Sequence, residues 1–395
     1  MNAAEAELTI LLASVAARRE AARDRIAELA RRVDGPMYAA RLEERGVLAL
    51  LGSRLLQLAP GAAGDPLREH VDEVVRDARI RARALELTQR QVATALAEAG
   101  VRALPIKGLT FAERIYGDPG LRPATDVDVL VPRAQLARAV AALRELGYGA
   151  PTDPLWAGGL PELHHRLAGP HGAPRVEVHW RTHWAEDGLS EDAIAAAVPA
   201  PDGLLRAPPA HELALTMAVL ARDGLHGPRL AADVAAWWDR CGARMTPGAL
   251  DPIVTRNPHL RRPLSAVAAC LGPLLGAPPP EVLTMRVDRG GRRALRLADP
   301  LLLDEAADVE AVLILTDASL AAGRAKLGFL RRYVVQPLPF VRSAYGPEDA
   351  PAAIVTGRIA RHAARFVLRK LPRIVRAEAR SRRTRYYNVT HCAGT

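Results

Sequence analysis

The stretch that decides the fold is Asp126-Val127-Asp128-Val129-Leu130-Val131. Acid and apolar residues alternate with period two, the pattern of a strand that buries one face. Side chains two apart on a strand project from the same face, with about 7 Å of rise between them. Asp126 and Asp128 therefore share a face, and Val127, Val129 and Val131 turn to apolar packing. Downstream, Val176-Glu177-Val178-His179-Trp180 repeats the pattern, with Glu177 and His179 on one face and Val176, Val178 and Trp180 on the other. Upstream, residues 101–106 form a short apolar run between Gly100 and Gly108 that reads as a strand. A helix over 109–116 opens directly off Lys107-Gly108, and Gly117-Asp118-Pro119-Gly120 is a turn by composition. Residues 135–146 read as a helix that stops at Gly147. The order strand–helix–strand–helix–strand predicts a mixed sheet with helices.

Helical sequence flanks this unit on both sides. Ala, Leu, Arg and Glu dominate residues 1–98, all strong helix formers. Leu8, Leu11, Leu12 and Val15 fall on one helix face, 60–66 is a break, and 67–96 reads as one long helix. Beyond His211, helices are expected over 212–220, 228–238, 263–275 and 357–374, with loops at 278–280 and 346–351. The expected class is α+β, divided into an N-terminal helical region (1–98), a sheet-containing core (99–205), a helical C-terminal domain (206–345) and a basic tail (346–395).

Composition excludes several alternatives. With 49% hydrophobic and 25% charged residues, the 395-residue chain builds cores rather than staying disordered. No charge-free run of about 18 apolar residues is present, so no spanning helix is expected. No basic start followed by an apolar core marks a secretory signal, and the expectation is a cytoplasmic protein. Cys241, Cys270 and Cys392 are too scattered for a disulfide framework or a zinc spacing. The net charge of +10 is not evenly spread. Eleven of the 54 bases and one of the 44 acids lie between Arg358 and Arg385, so that segment carries the whole excess and the body is neutral. Arg358, Arg361, Arg365, Arg369, Arg373, Arg376 and Arg380 recur every three or four residues, with Ile359, Ala363, Phe366, Val367, Leu371 and Ile374 on another face. This is a basic amphipathic helix that Pro372 should kink or end. Its apolar face packs on the body, or its arginines meet RNA phosphates, an acidic protein or peptide, or an anionic membrane surface. Few aromatics accompany them, which gives base stacking little support.

The chemistry sits on the two alternating strands. Adjacent carboxylates repel unless a cation lies between them. Hard oxygen donors of this kind suit Mg²⁺ with substrate phosphates. If the two strands are neighbours, Glu177 supplies a third carboxylate, and three can hold two Mg²⁺ about 3.5–4 Å apart for in-line phosphoryl displacement. The Lys107-Gly108 turn precedes a helix N-terminus, whose unpaired N–H groups and positive dipole end suit a phosphate. Lys107 is one of three lysines among the 54 bases, so its place there is not compositional background. Arg122 is a second phosphate candidate. His179 either assists the site or is a hydrogen-bonded structural group. His164, His165 and His171 match no zinc spacing and are read as loop histidines. Asp233 is either a buried, partnered acid or a group reaching the site from the second helical region. Trp180, Trp237 and Trp238 are read as core.

Taken together, Lys107-Gly108, the run from Tyr116 through Arg122-Pro123, Thr125 through Val131, and Glu177-Val178-His179-Trp180 resemble a poorly characterised bacterial nucleotidyltransferase family of the DNA polymerase β superfamily. The stretch from His211 through Asp233 is similar to the helical segment that follows the core there, so the resemblance covers roughly residues 95–240. It implies a polymerase-β-like core with Asp126 and Asp128 as the metal pair, and Glu177 as third metal-binding carboxylate and base for the acceptor hydroxyl. Gly108 would sit in the phosphate-cradling turn, beside the phosphate candidates Lys107 and Arg122 read above, with Lys107-Gly108 replacing the superfamily's usual Gly-Ser. The implied co-substrate is an NTP, first of all ATP, with two Mg²⁺ ions. The acceptor would be a small molecule, peptide or protein, since such families accompany natural-product, lasso-peptide or cell-surface polysaccharide pathways. A tRNA or RNA acceptor and an inactive nucleotide-binding scaffold are the alternatives.

Overall fold

The computed structural model describes residues 1–62, 64–149, 163–200, 204–305 and 308–321, together with 357, 360, 364 and 366–383. The loop expected at 346–351 lies outside the described residues. Helices α1 (Ala3–Ala13), α2 (Ala16–Ala21), α3 (Arg23–Arg32), α4 (Gly35–Glu44) and α5 (Leu48–Leu58) precede the 34-residue α6 (Asp65–Glu98). Asn2 and Glu5 cap α1 reciprocally, which satisfies two of the helix's orphan donors. Pro66 sits in the first turn of α6, where its missing N–H removes no helix bond. Leu67, Val71, Val75, Ala78, Ala82 and Leu85 are buried at spacings of three or four, so α6 presents one continuous apolar stripe.

That stripe serves two cores. Leu67, Val71 and Val75 join the large cluster built from the N-terminal and C-terminal helices. Ala82, Leu85, Val92, Ala93 and Leu96 pack under the sheet. The sheet consists of β1 (Leu104–Pro105), β2 (Asp126–Leu130), β3 (His164–Leu167) and β4 (Arg175–His179), in spatial order β1-β2-β4-β3. β2 and β4 run parallel at its centre, with β1 and β3 antiparallel on the two edges. Val127, Val129, Val176 and Val178 bury one face against α6 and α8 (Leu136–Glu145), as the alternation predicts. The opposite face carries Asp126, Asp128, Glu177 and His179, and it faces the C-terminal helices.

The predicted strand over 101–106 contracts to the two residues of β1. The predicted helix over 109–116 is a single α turn, α7 (Gly108–Phe111), that runs into a π-helical turn (Ala112–Tyr116). Such π segments are frequent at functional sites. The stretch holding His164 is no loop, because it forms the edge strand β3.

The rest is mostly helical. After α9 (Leu189–Ala195), a two-stranded sheet of β5 (Val198–Pro199) and β6 (Leu205–Arg206) leads into α10 (Pro209–Arg222) and α11 (Pro228–Cys241). α12 (Asp251–Arg256), α13 (Arg261–Leu275), α14 (Arg289–Leu297) and α15 (Val309–Leu320) follow. The described part of the tail is a π turn (Phe366–Lys370) and α16 (Leu371–Arg383). Pro372 falls in the first turn of α16, where a proline is tolerated, and the helix continues past it to Arg383. Ile374 and Ala377 pack against Leu297, Val312 and Leu315. Arg373 pairs with Asp308 and Glu310, and Lys370 with Glu310. This much of the basic helix docks on the body. No helix among the described residues is long and apolar enough to cross a membrane.

Candidate active site

Strand register assembles the site. In the parallel β2–β4 pair Asp128 stands opposite Glu177, and in the antiparallel β3–β4 pair His164 stands opposite His179 and Arg166 opposite Glu177. With side chains alternating across strands, these residues emerge on one face. Asp128, Glu177, His164 and His179 are all buried, while Asp126 at the start of β2 is half-buried.

The contacts are dense. Lys107 Nζ lies 2.8 Å from Asp128 Oδ1 and 3.9 Å from Glu177 Oε2. His179 Nε2 is hydrogen-bonded to Asp128 Oδ1 at 2.9 Å and lies 3.4 Å from Glu177 Oε2. His164 Nε2 approaches the same Glu177 oxygen at 3.7 Å. The other oxygen, Oε1, accepts from Arg166 Nε at 2.9 Å and meets its Nη2 at 2.8 Å. Asp126 is less well provided, with only the exposed Arg175 Nε among the described residues, at 3.3 Å from Oδ2.

Electrostatics separates the three carboxylates. Burial alone would raise Asp128, but Lys107 and the His179 hydrogen bond outweigh it and bring its pKa down to about 2. Glu177 is also opposed by burial, yet the His179 hydrogen bond and the charges around it hold it far below the usual carboxylate range. Asp126 moves the other way, raised by burial and by repulsion from Asp128. Burial and the neighbouring His179 push His164 down to about 2, so its imidazole is neutral at pH 7.

The turn between β1 and α7 places Lys107. Gly108 has φ +73°, a left-handed conformation that strains any residue with a Cβ. A Cβ there would stand 3.6 Å from the Asp126 carbonyl oxygen, so the backbone angle rather than lack of room selects glycine.

Arg122 is not where the sequence suggested. Its guanidinium is buried and clamped to Asp233, with Nε 2.9 Å from both carboxylate oxygens and Nη2 2.8 Å from Oδ2. Tyr116 donates to the same carboxylate at 2.8 Å, and the guanidinium lies over the Phe111 ring. Asp233 is thus a partnered acid on α11. Together with Arg122 it fastens the stretch between the π turn and β2 to the C-terminal helices. Gly120 in that stretch sits so close to α6 that a Cβ would come within 2.9 Å of the Val75 carbonyl oxygen.

Four residues near the acid face escaped the sequence reading of the site. His164 and Arg166 alternate as Glu177 and His179 do, but over a strand of only four residues. Arg222, at the end of α10, is buried. Burial opposes its charge, yet Asp223, Asp128 and Glu177 together raise its pKa. Its Nε bonds Asp223 at 2.9 Å, and its Nη1 is buried with no hydrogen-bond partner among the described residues. Arg229 donates to the Pro123 carbonyl at 2.9 Å, and burial and the nearby Arg122 lower its pKa. His165 lies against Trp180, away from the acids. A groove of about 480 Å³ beside β1 is lined by Ile106, Arg114, Arg206 and Glu212 among others, and none of the acid-face residues borders it.

A small mixed sheet, apolar against helices on one side and carrying carboxylates from its two central strands on the other, has the layout of a nucleotidyltransferase. The model of a family described as uncharacterised nucleotidyltransferase matches residues 33–276, well over half of the chain, and the protein belongs to that family. The match extends beyond the 95–240 stretch of the sequence resemblance and takes in helices on both sides of the sheet. No curated protein and no solved structure matches the chain.

Proposed function

We propose that the protein is a Mg²⁺-dependent nucleotidyltransferase that moves an NMP from an NTP, ATP first, to an acceptor hydroxyl. The new bond joins the acceptor oxygen to the α-phosphorus. The bond to the bridging oxygen breaks, and pyrophosphate leaves. The observation that carries this reading is the register that sets Asp128 opposite Glu177, with Asp126 two residues along the same face and Lys107 beside them.

The donors fit hard divalent cations. Asp126 carries a charge that its surroundings disfavour, because burial and Asp128 both raise its pKa. A divalent cation between Asp126 and Asp128 relieves that repulsion, and Glu177 offers oxygen to a second divalent ion beside it. When bound, such ions supply Lewis-acid neutralisation of phosphate charge. The protein's own groups do the rest. Lys107 can exchange its carboxylate partner for a β- or γ-phosphate oxygen, since a flexible ammonium re-aims readily. The Arg222 Nη1, buried without a partner near Asp128 and Glu177, replaces Arg122 as the second phosphate contact. Glu177 is the carboxylate assigned to take the hydroxyl proton as the new bond forms, with Asp126 and Asp128 reserved for the cation.

An acceptor other than RNA is favoured by the docked tail, where Lys370 and Arg373 already pair with Glu310 and Asp308. Three crowded carboxylates give a binding-only scaffold no advantage, which supports catalysis. The test is incubation with Mg²⁺, each radiolabelled NTP and candidate small-molecule, peptide and protein acceptors. Labelled acceptor and pyrophosphate are expected. An Asp126→Ala/Asp128→Ala double variant that transfers as well as the parent would sink the assignment.

A further inference from the structure

Two buried histidines share the acid face, and Mg²⁺ chemistry alone does not call for them. His164 and His179 stand opposite each other across β3 and β4, with ring centroids 4.6 Å apart. Both aim Nε2 at one oxygen of Glu177, at 3.7 Å and 3.4 Å. We infer that His164, Glu177 and His179 form a second kind of cation position, for a nitrogen-preferring divalent metal of the Zn²⁺, Co²⁺ or Ni²⁺ class.

Three observations support this. The first is distance. A metal bonded at about 2.0–2.2 Å to imidazole nitrogen and carboxylate oxygen in a tetrahedral shell separates its ligand atoms by about 3.4 Å. The observed histidine-to-carboxylate separations need to change by a few tenths of an ångström, and all three ligand atoms lie within 4.8 Å of one another. The second is donor type. Imidazole suits Zn, Cu, Fe and Ni, whereas Mg²⁺ takes oxygen ligands and keeps its waters. A site with two buried imidazoles and one carboxylate is therefore biased away from Mg²⁺. The third is placement. Asp128 Oδ1 lies 2.9 Å from His179 Nε2, so a fourth protein ligand, a second oxygen, is at hand. Asp126 stands outside this set at the near end of β2, where its ion-pair partner is Arg175. The face thus divides into an all-oxygen position around Asp126 and Asp128 and a mixed nitrogen–oxygen position around Glu177. Lys107 lies beside both carboxylates of the inner position. A metal there displaces its ammonium toward the outer position, where the proposed nucleotide phosphates lie. That catalytic consequence rests on the nucleotidyltransferase reading above, whereas metal binding does not.

The test is Co²⁺ titration of metal-stripped full-length protein, read by visible d–d absorption, with Zn²⁺ competition. Wild type is expected to take up one Co²⁺ with the absorption of a four-coordinate nitrogen–oxygen site, displaced by Zn²⁺. His164→Ala and His179→Ala should each weaken uptake about 100-fold. Should His164→Ala fail to fold by circular dichroism, His164→Gln keeps the volume and a polar tip without the imidazole, and the same loss is expected. No absorption in folded wild type, or full absorption in either His164 variant, overturns the inference. Mg²⁺-supported transfer measured on the same samples separates the two claims. Transfer without Co²⁺ uptake removes this inference alone, and Co²⁺ uptake without transfer removes only the proposed function.

Discussion

Two charged clusters lie within a few residues of each other in the chain, and burial treats them differently. At Arg122 one carboxylate meets one guanidinium fork and one tyrosine hydroxyl, and every oxygen of Asp233 is matched. At the acid face, three carboxylates share Lys107, Arg166, Arg175 and two histidines unevenly. Asp128 and Glu177 become stronger acids there and Asp126 a weaker one. A matched pair holds a structure together. An unmatched set with split acidities is the state in which a site waits for a cation or a phosphate. The same residue types thus take opposite roles, and the difference lies in how completely each charge is answered.

Substitutions break this contrast at either end. The largest effect is expected at Asp126 and Asp128. Asp126→Asn with Asp128→Asn should lower transfer roughly 1000-fold, the rate equivalent of several kcal/mol of lost charge stabilisation. Asp126→Asn alone should also abolish most activity, yet its metal-free melting temperature should hold or rise by about 1–2 °C, because a disfavoured charge has gone. At the matched pair the signs reverse. Arg122→Ala strands Asp233 and should cost about 3–5 kcal/mol in chemical denaturation. Arg122→Met combined with Asp233→Leu should recover much of that loss, since no unpaired charge stays buried.

A pH titration sharpens the comparison further. The folded-state pKa of Asp128, about 2, lies below its ordinary value of 3.8. Its ionised form therefore contributes stability above pH about 4, and that contribution disappears as pH falls through 2. Asp128→Asn should be less stable than the parent by roughly 2 kcal/mol at pH 7, with the gap closing between pH 4 and 2. The smallest expected effect is at the turn. Gly108→Ala places a Cβ at φ +73° and should cost about 1 kcal/mol while raising KM for the NTP through a displaced Lys107.

The contrast also marks what the sequence could tell. The Asp126 and Glu177 strands were legible because alternation with period two is local, and the faces of Val127, Val129, Val176 and Val178 followed from it. The small mixed sheet with helical flanks followed from the order of elements. β3 was hidden because His164-His165-Arg166-Leu167 is short, has a single apolar residue and is followed closely by Gly169 and Pro170. The fate of Arg122 was hidden for a different reason. Its partner Asp233 lies 111 residues away, and no local pattern pairs them. Arg222 belongs to the same class, since only the packing of α10 brings it near Asp128 and Glu177. Residues on the two strongly alternating strands were readable, and those placed by a short edge strand or by helix packing were not.

The central claim is that the acid face is a metal–nucleotide site and the Arg122–Asp233 pair a structural one. Equilibrium binding of non-hydrolysable NTP analogues, with and without Mg²⁺, tests it most directly. The account predicts binding that requires Mg²⁺, disappears in Asp126→Asn/Asp128→Asn, and survives in folded Arg122→Met/Asp233→Leu. Tight Mg²⁺-dependent binding by the Asp126→Asn/Asp128→Asn protein, or no binding of any of the common NTP analogues by folded wild type, would contradict it.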